Sequence, residues 1–128
     1  DRNDAYVTNA VKHFKFELRG RRRLHKKPNS YEIERCHWWL AQELEIVRPD
    51  LVVAMGATAA RAVLGKVVTV TALRGRVLDL DPPLRGIVTI HPSFLLRIRG
   101  DREKADAYGR FVADLALAAR TVPAVRMD

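Results

Sequence analysis

Apolar positions along this chain fall into patterned stretches separated by charge. Residues 5–11, AYVTNAV, mix β-branched and aromatic residues at strand length and predict a short β-strand with Asn9 near its end. Ile33, Cys36, Leu40, Leu44 and Val47 recur at three and four, the period of one buried helix face. Cys36 faces inward on this helix, and Trp38 and Trp39 widen the stripe or sit at its edge. Asn29 or Ser30 caps the helix, Glu32 and Glu34 occupy its first turn, and Arg48-Pro49-Asp50 stops it. LVVAMG (51–56) is a near-continuous apolar run closed by glycine, which predicts a strand buried on both faces. ATAARAVLG follows at once as a helix closed by Gly65, and residues 67–80 predict two short extended pieces about Arg74-Gly75-Arg76. IVTI (87–90) predicts a second buried strand that runs into His91-Pro92-Ser93, where Pro92 suits the first turn of a helix. Residues 101–120 predict an amphipathic closing helix with Tyr108, Phe111, Val112 and Leu115 on its inner face.

Strands alternating with helices imply an α/β fold built on a parallel sheet. In such sheets ligands bind beyond the carboxyl ends of the strands, where Asn9, Gly56 and His91 all fall. An Asn offers a donor and an acceptor side by side, which matches a pyrimidine edge. His91 can donate to a base carbonyl as negative charge develops on it. The competing reading of Asn9 is a turn residue that closes its strand. The turn at Gly56 lacks G-x-G-x-x-G, so it is no dinucleotide fingerprint, although helix N-terminal amides can receive an anion.

Charge changes the picture. From Lys12 to Lys27, eight of sixteen residues are Lys or Arg and only Glu17 opposes them, which predicts a solvated loop. The plain reading is a solubilising run. Flanked by structured elements, it is better read as a phosphate clamp, with His25 inside it and Arg97 as a further phosphate contact. The whole chain carries +8 and a pI near 10.2, which favours nucleic acid as partner. Its 128 residues, 48% apolar, suffice for one domain with a real core. No apolar run approaches the roughly 20 residues of a membrane span, and no signal peptide is visible. Cys36, the single cysteine, excludes an internal disulfide framework and fits a reducing, cytoplasmic setting.

The ordered set YVTNAVK, basic loop, Glu-to-Cys helix, LVVAMGATAARAVLG and HPSFLLR resembles the uracil-DNA glycosylase superfamily, over nearly the whole chain. It is most similar to the iron–sulfur branch related to family 4. Within that branch RRRLH at Arg21–His25 resembles the KRRIH insertion of the UdgX group, whose members excise uracil and become covalently bound to the DNA sugar. The resemblance implies a three-layer α/β/α fold around a central, mostly parallel four-stranded sheet. It places uracil reading on Asn9, assistance at the base carbonyl on His91 and the covalent bond on His25. DNA contacts fall on Arg21, Arg22, Arg23, Lys26, Ser93 and Arg97. It also implies a 4Fe-4S cluster, with Cys36 and His13 as two of its ligands. The family's GE-x-PG motif and an N-terminal cysteine pair are not found in this sequence. The expectation is the C-terminal portion of one glycosylase-like domain, a monomer alone or with a separate N-terminal fragment.

The chemistry is coherent with those positions. Loss of uracil leaves an oxocarbenium-like sugar and a uracil anion, and polar donors lower the barrier by stabilising the anion. A neutral imidazole at C1′ would capture the sugar in place of water, and neighbouring arginines disfavour the protonated ring. The base must leave the stack, so single-stranded uracil-containing DNA is the preferred substrate. The alternatives are a conventional family-4-type glycosylase that turns over, with His25 a phosphate contact, and a non-catalytic basic module that binds nucleic acid.

Overall fold

The computed structural model describes residues 4–10, 16–19, 22–25 and 29–122, with backbone alone for 16–19, 22–25, 30 and 34–36. The chain forms two compact units, Asp1–Arg48 and Pro49–Asp128.

In the first unit the basic stretch is not a plain loop. Strands β1 (Phe16–Arg19) and β2 (Arg22–His25) pair antiparallel, with Phe16 opposite His25 and Leu18 opposite Arg23. Phe-Glu-Leu-Arg alternates apolar and charged residues, a strand period that the count of cations obscured. Residues 5–9, expected to be a strand, have no regular structure, and residues 4–9 are exposed. Strand propensity reflects fit to a pleated, half-buried surface, and Tyr6 and Val7, 60% and 70% exposed, lie on none.

Helix α1 (Ser30–Val47) is capped by Asn29, whose Oδ1 accepts the Glu32 N–H at 2.9 Å. It ends at Arg48 in the left-handed region (φ 49°), whose N–H donates to the Leu44 carbonyl at 2.9 Å. Ile33 and Leu40, two turns apart, are buried, while Trp38 and Trp39 are exposed and meet edge to face at 4.5 Å. Val47, expected on the stripe, is 38% exposed, because it is the last helical residue, where the chain turns away into its cap. The side chain of Cys36 lies outside the described residues.

The second unit holds a three-stranded sheet in the order β3 (Val52–Met55), β5 (Arg85–Thr89), β4 (Leu78–Asp79). β3 and β5 run parallel, with Met55 opposite Thr89, and β4 is antiparallel to β5. The expected four-stranded, mostly parallel sheet is therefore, among the described residues, a three-stranded mixed one. Residues 5–9 add no strand, and residues 78–79 return as an antiparallel edge. Parallel pairing requires a crossover, supplied by helix α2 (Ala57–Leu64) and the single turn α3 (Val70–Leu73). The turn α3 replaces the first of the two extended pieces expected about Arg74. Its residues Val70 and Leu73, three apart, both pack against the core formed by Ala54, Ala60 and Val88. Alanines on β3 and α2 let helix and strand approach closely.

After β5 come the short helix α4 (Ser93–Leu96) and the long α5 (Asp101–Thr121). The inner face of α5 is rotated from the one its apolar residues suggest. Phe111, Asp114 and Ala118 are buried, while Tyr108 and Val112 are 59% and 44% exposed. Asp114 belongs inside because Arg74 meets it at 2.7 Å through Nη2, and Thr89 donates to it at 2.6 Å. Arg74→Met would leave that buried carboxylate without its cation and should destabilise the fold by about 3–5 kcal/mol. Replacing all three partners by apolar residues of similar size should recover most of that loss. Urea midpoints of the single and triple variants check this, and a single-variant loss under about 1 kcal/mol, no more than an exposed pair is worth, contradicts it.

Candidate active site

A set of polar groups lies at the carboxyl ends of the two parallel strands of the second unit. β3 passes into Gly56 (φ 93°), which opens α2 and donates its N–H to the Thr89 carbonyl at 2.8 Å. A Cβ at Gly56 would lie 3.3 Å from the Cβ of His91, and its φ already disfavours L residues. The glycine therefore allows the His91 turn to sit against the strand tip.

His91 follows β5 by two residues and is exposed. Its Nδ1 accepts the Ser93 backbone N–H at 3.1 Å and lies 2.8 Å from Ser93 Oγ. A nitrogen that accepts a backbone N–H carries no proton itself, so in the neutral ring the proton is assigned to Nε2. Nε2 is thus the donor nitrogen. Ser93, expected as a DNA contact, is seen to orient His91. The turn is closed by the Phe94 N–H to the His91 carbonyl at 2.9 Å and the Leu95 N–H to the Pro92 carbonyl at 3.1 Å. Arg97 caps α4 and is exposed, as are Phe94 and Leu96.

The other expected site residues lie in the first unit. Asn9 is exposed on the irregular segment rather than at a strand end. That segment is tied to α1 through Tyr6, whose hydroxyl donates to Glu43 Oε2 at 2.7 Å. The hydrogen bond to Glu43, with the carboxylate's charge, holds the Tyr6 hydroxyl above the usual tyrosine range. Arg22, Arg23 and His25 lie on β2, with His25 its last residue. Arg21, Lys26 and His13 fall outside the described residues, and Cys36 is placed only as a backbone position on α1. Among the described residues no three His, Cys, Asp or Glu side chains group so as to hold a metal ion. No described helix is long and apolar enough to cross a membrane.

Sequence reasoning missed the Arg74–Asp114–Thr89 cluster and the Tyr6–Glu43 tie. Polar residues within apolar stretches, Thr89 in IVTI and Asp114 in the closing helix, were the available signal. Their partners are 25 to 40 residues away along the chain.

The family model described as "UDG: Uracil DNA glycosylase superfamily" matches residues 1–116. The type-4 uracil-DNA glycosylase of Thermotoga maritima is 37% identical over 101 residues, 78% of this chain and 49% of the relative. The type-4 enzyme of Archaeoglobus fulgidus is 25% identical over 121 residues, 89% of this chain and 57% of the relative. A type-5 uracil-DNA glycosylase of Pyrobaculum aerophilum is 41% identical over 69 residues, 52% of this chain and 30% of the relative. The chain spans about half the length of the type-4 relatives it matches.

Proposed function

This chain belongs to the uracil-DNA glycosylase superfamily, and we propose that it carries the base-excising chemistry of a DNA-repair glycosylase acting on uracil, with His25 as the group that captures the sugar. The observation that carries the excision reading is His91, held at Nδ1 by Ser93 with Nε2 left as donor. As the bond between C1′ and uracil N1 breaks, its electron pair leaves with the base. Nε2–H donates to the base oxygen where that charge gathers. Asn9 pairs with the edge of the extruded base, and Arg22, Arg23 and Arg97 hold phosphates. The base is most easily extruded from single-stranded DNA.

Capture of C1′ is assigned to His25. One ring nitrogen of the neutral imidazole donates its lone pair to C1′, and the ring then loses its other N–H proton to solvent. The C–N bond so formed has a poor leaving group, so the adduct persists. The RRRLH sequence supports this step; the competing reading is a glycosylase of the type-4 kind that the relatives' names give, turning over by water with His25 as a phosphate contact.

Cys36 and His13 are the proposed cluster ligands of this chain. They make half of the four that a 4Fe-4S cluster requires, so these residues alone do not complete such a site. No step here runs through it.

Intact protein incubated with uracil-containing single-stranded DNA and run on a denaturing gel should release uracil and give a retarded protein–DNA band. His91→Ala should slow single-turnover excision by about 10²–10³-fold, the worth of one donor to a developing oxyanion, while DNA binding is kept. Failure of wild-type protein to release uracil refutes the excision reading, and release without a retarded band refutes the covalent step alone.

A further inference from the structure

One buried carboxylate lies behind the strand tip, and the excision chemistry makes no use of it. Asp114 Oδ2 accepts from Arg74 Nε at 3.0 Å, from Arg74 Nη2 at 2.7 Å and from Thr89 Oγ1 at 2.6 Å. Thr89 is fully buried and is the last residue of β5, two before His91. Its carbonyl accepts the Gly56 N–H at 2.8 Å. Thr89 therefore ties the strand end to α5 through its side chain and to the glycine turn through its backbone. α5 also packs against α4, the helix that carries Ser93.

We propose that Thr89, Asp114 and Arg74 are positioning residues that fix the His91 turn, a proposal that rests on the reading of His91 as the group acting on the base. Thr89 and Asp114 are buried, and the Arg74 side chain is only 10% exposed. Apolar packing alone is non-directional, and a buried ion pair is often no more stabilising than apolar residues of the same size. Short charge-assisted hydrogen bonds to one carboxylate oxygen do fix direction. That matters for a donor whose misplacement by about 1 Å can cost on the order of 10²-fold in rate. The cluster lies where such an error would begin, at the last paired residue before the histidine.

The test uses the intact protein with Thr89→Val, which removes the hydroxyl at nearly constant shape, and Thr89→Ser, which restores it. Single-turnover excision at saturating protein, DNA affinity by anisotropy, and amide hydrogen exchange are measured. Thr89→Val should slow excision by about 10–100-fold with affinity unchanged, and Thr89→Ser should recover most of the rate. Exchange should quicken at Gly56 and Phe94, whose N–H groups close the strand tip and the His91 turn, while Ala54 in β3 stays protected. If Thr89→Val fails to fold, Thr89→Cys replaces it with the same expected pattern, since a thiol keeps the volume but donates only weakly to Asp114. A wild-type rate with unchanged exchange at Gly56 and Phe94, or faster exchange spread evenly over the second unit, overturns the proposal. Absence of excision by the wild-type protein would instead remove the functional reading, and the exchange pattern would still decide whether the cluster holds the turn.

Discussion

Asn9→Ala is expected to lower uracil excision by about 10⁴-fold while affinity for the same DNA falls far less. A site built to pair a polar edge loses discrimination on that scale when the pairing group is removed. Asn9 supplies a donor and an acceptor together, and alanine supplies neither. The segment that carries it is not part of a strand ladder, and one of its ties to α1 is the 2.7 Å hydrogen bond from Tyr6 to Glu43. Single-turnover rates on uracil-containing single strands, set against anisotropy on the same strands, separate the two effects. Excision by Asn9→Ala at the wild-type rate would remove Asn9 from uracil recognition.

His25→Ser is expected to abolish the denaturation-resistant complex and yet leave uracil release in place. Water can then reach C1′ where the imidazole stood, and a protein consumed by one reaction becomes one that turns over. His25 is the last residue of β2, paired in register with Phe16. Arg23→Ala should behave differently in kind, weakening DNA binding and reducing its salt slope by roughly one counterion for each phosphate that is no longer neutralised. A denaturing gel of protein with uracil-containing DNA, with released uracil counted per protein, reads the crosslink and turnover of both variants. A crosslink that survives in His25→Ser would assign the nucleophile to another residue.

The route from residues to site was local where it succeeded. The run LVVAM, Gly56 and the alanine-rich helix could be read directly, because a buried strand, a positive-φ turn and a helix start each carry their signal within a few residues. The same holds for the strand ending at Thr89, for His91 beyond it and for Pro92 before α4. The helix start at Asn29 or Ser30 also needed only its own neighbours, and of the two Asn29 is the cap.

What escaped depended on partners distant in the chain. Residues 5–9 have strand composition but no strand to pair with among the described residues, so composition misled. The cations of residues 12–27 suggested solvated loop, yet Phe16–Arg19 and Arg22–His25 pair as antiparallel strands. The number and sense of the strands came from which edges found neighbours, which hydropathy does not encode. Asp114 is the clearest case. A carboxylate on a helix reads as an outward residue, and only tertiary structure brings it Arg74 and Thr89, without which its burial would cost several kcal/mol. Sequence alone named the residues proposed to carry the chemistry, because residue type and local turn can be read within a few positions. The tertiary structure decided what holds His91 in place, because hydrogen bonds between elements cannot be read from one element at a time.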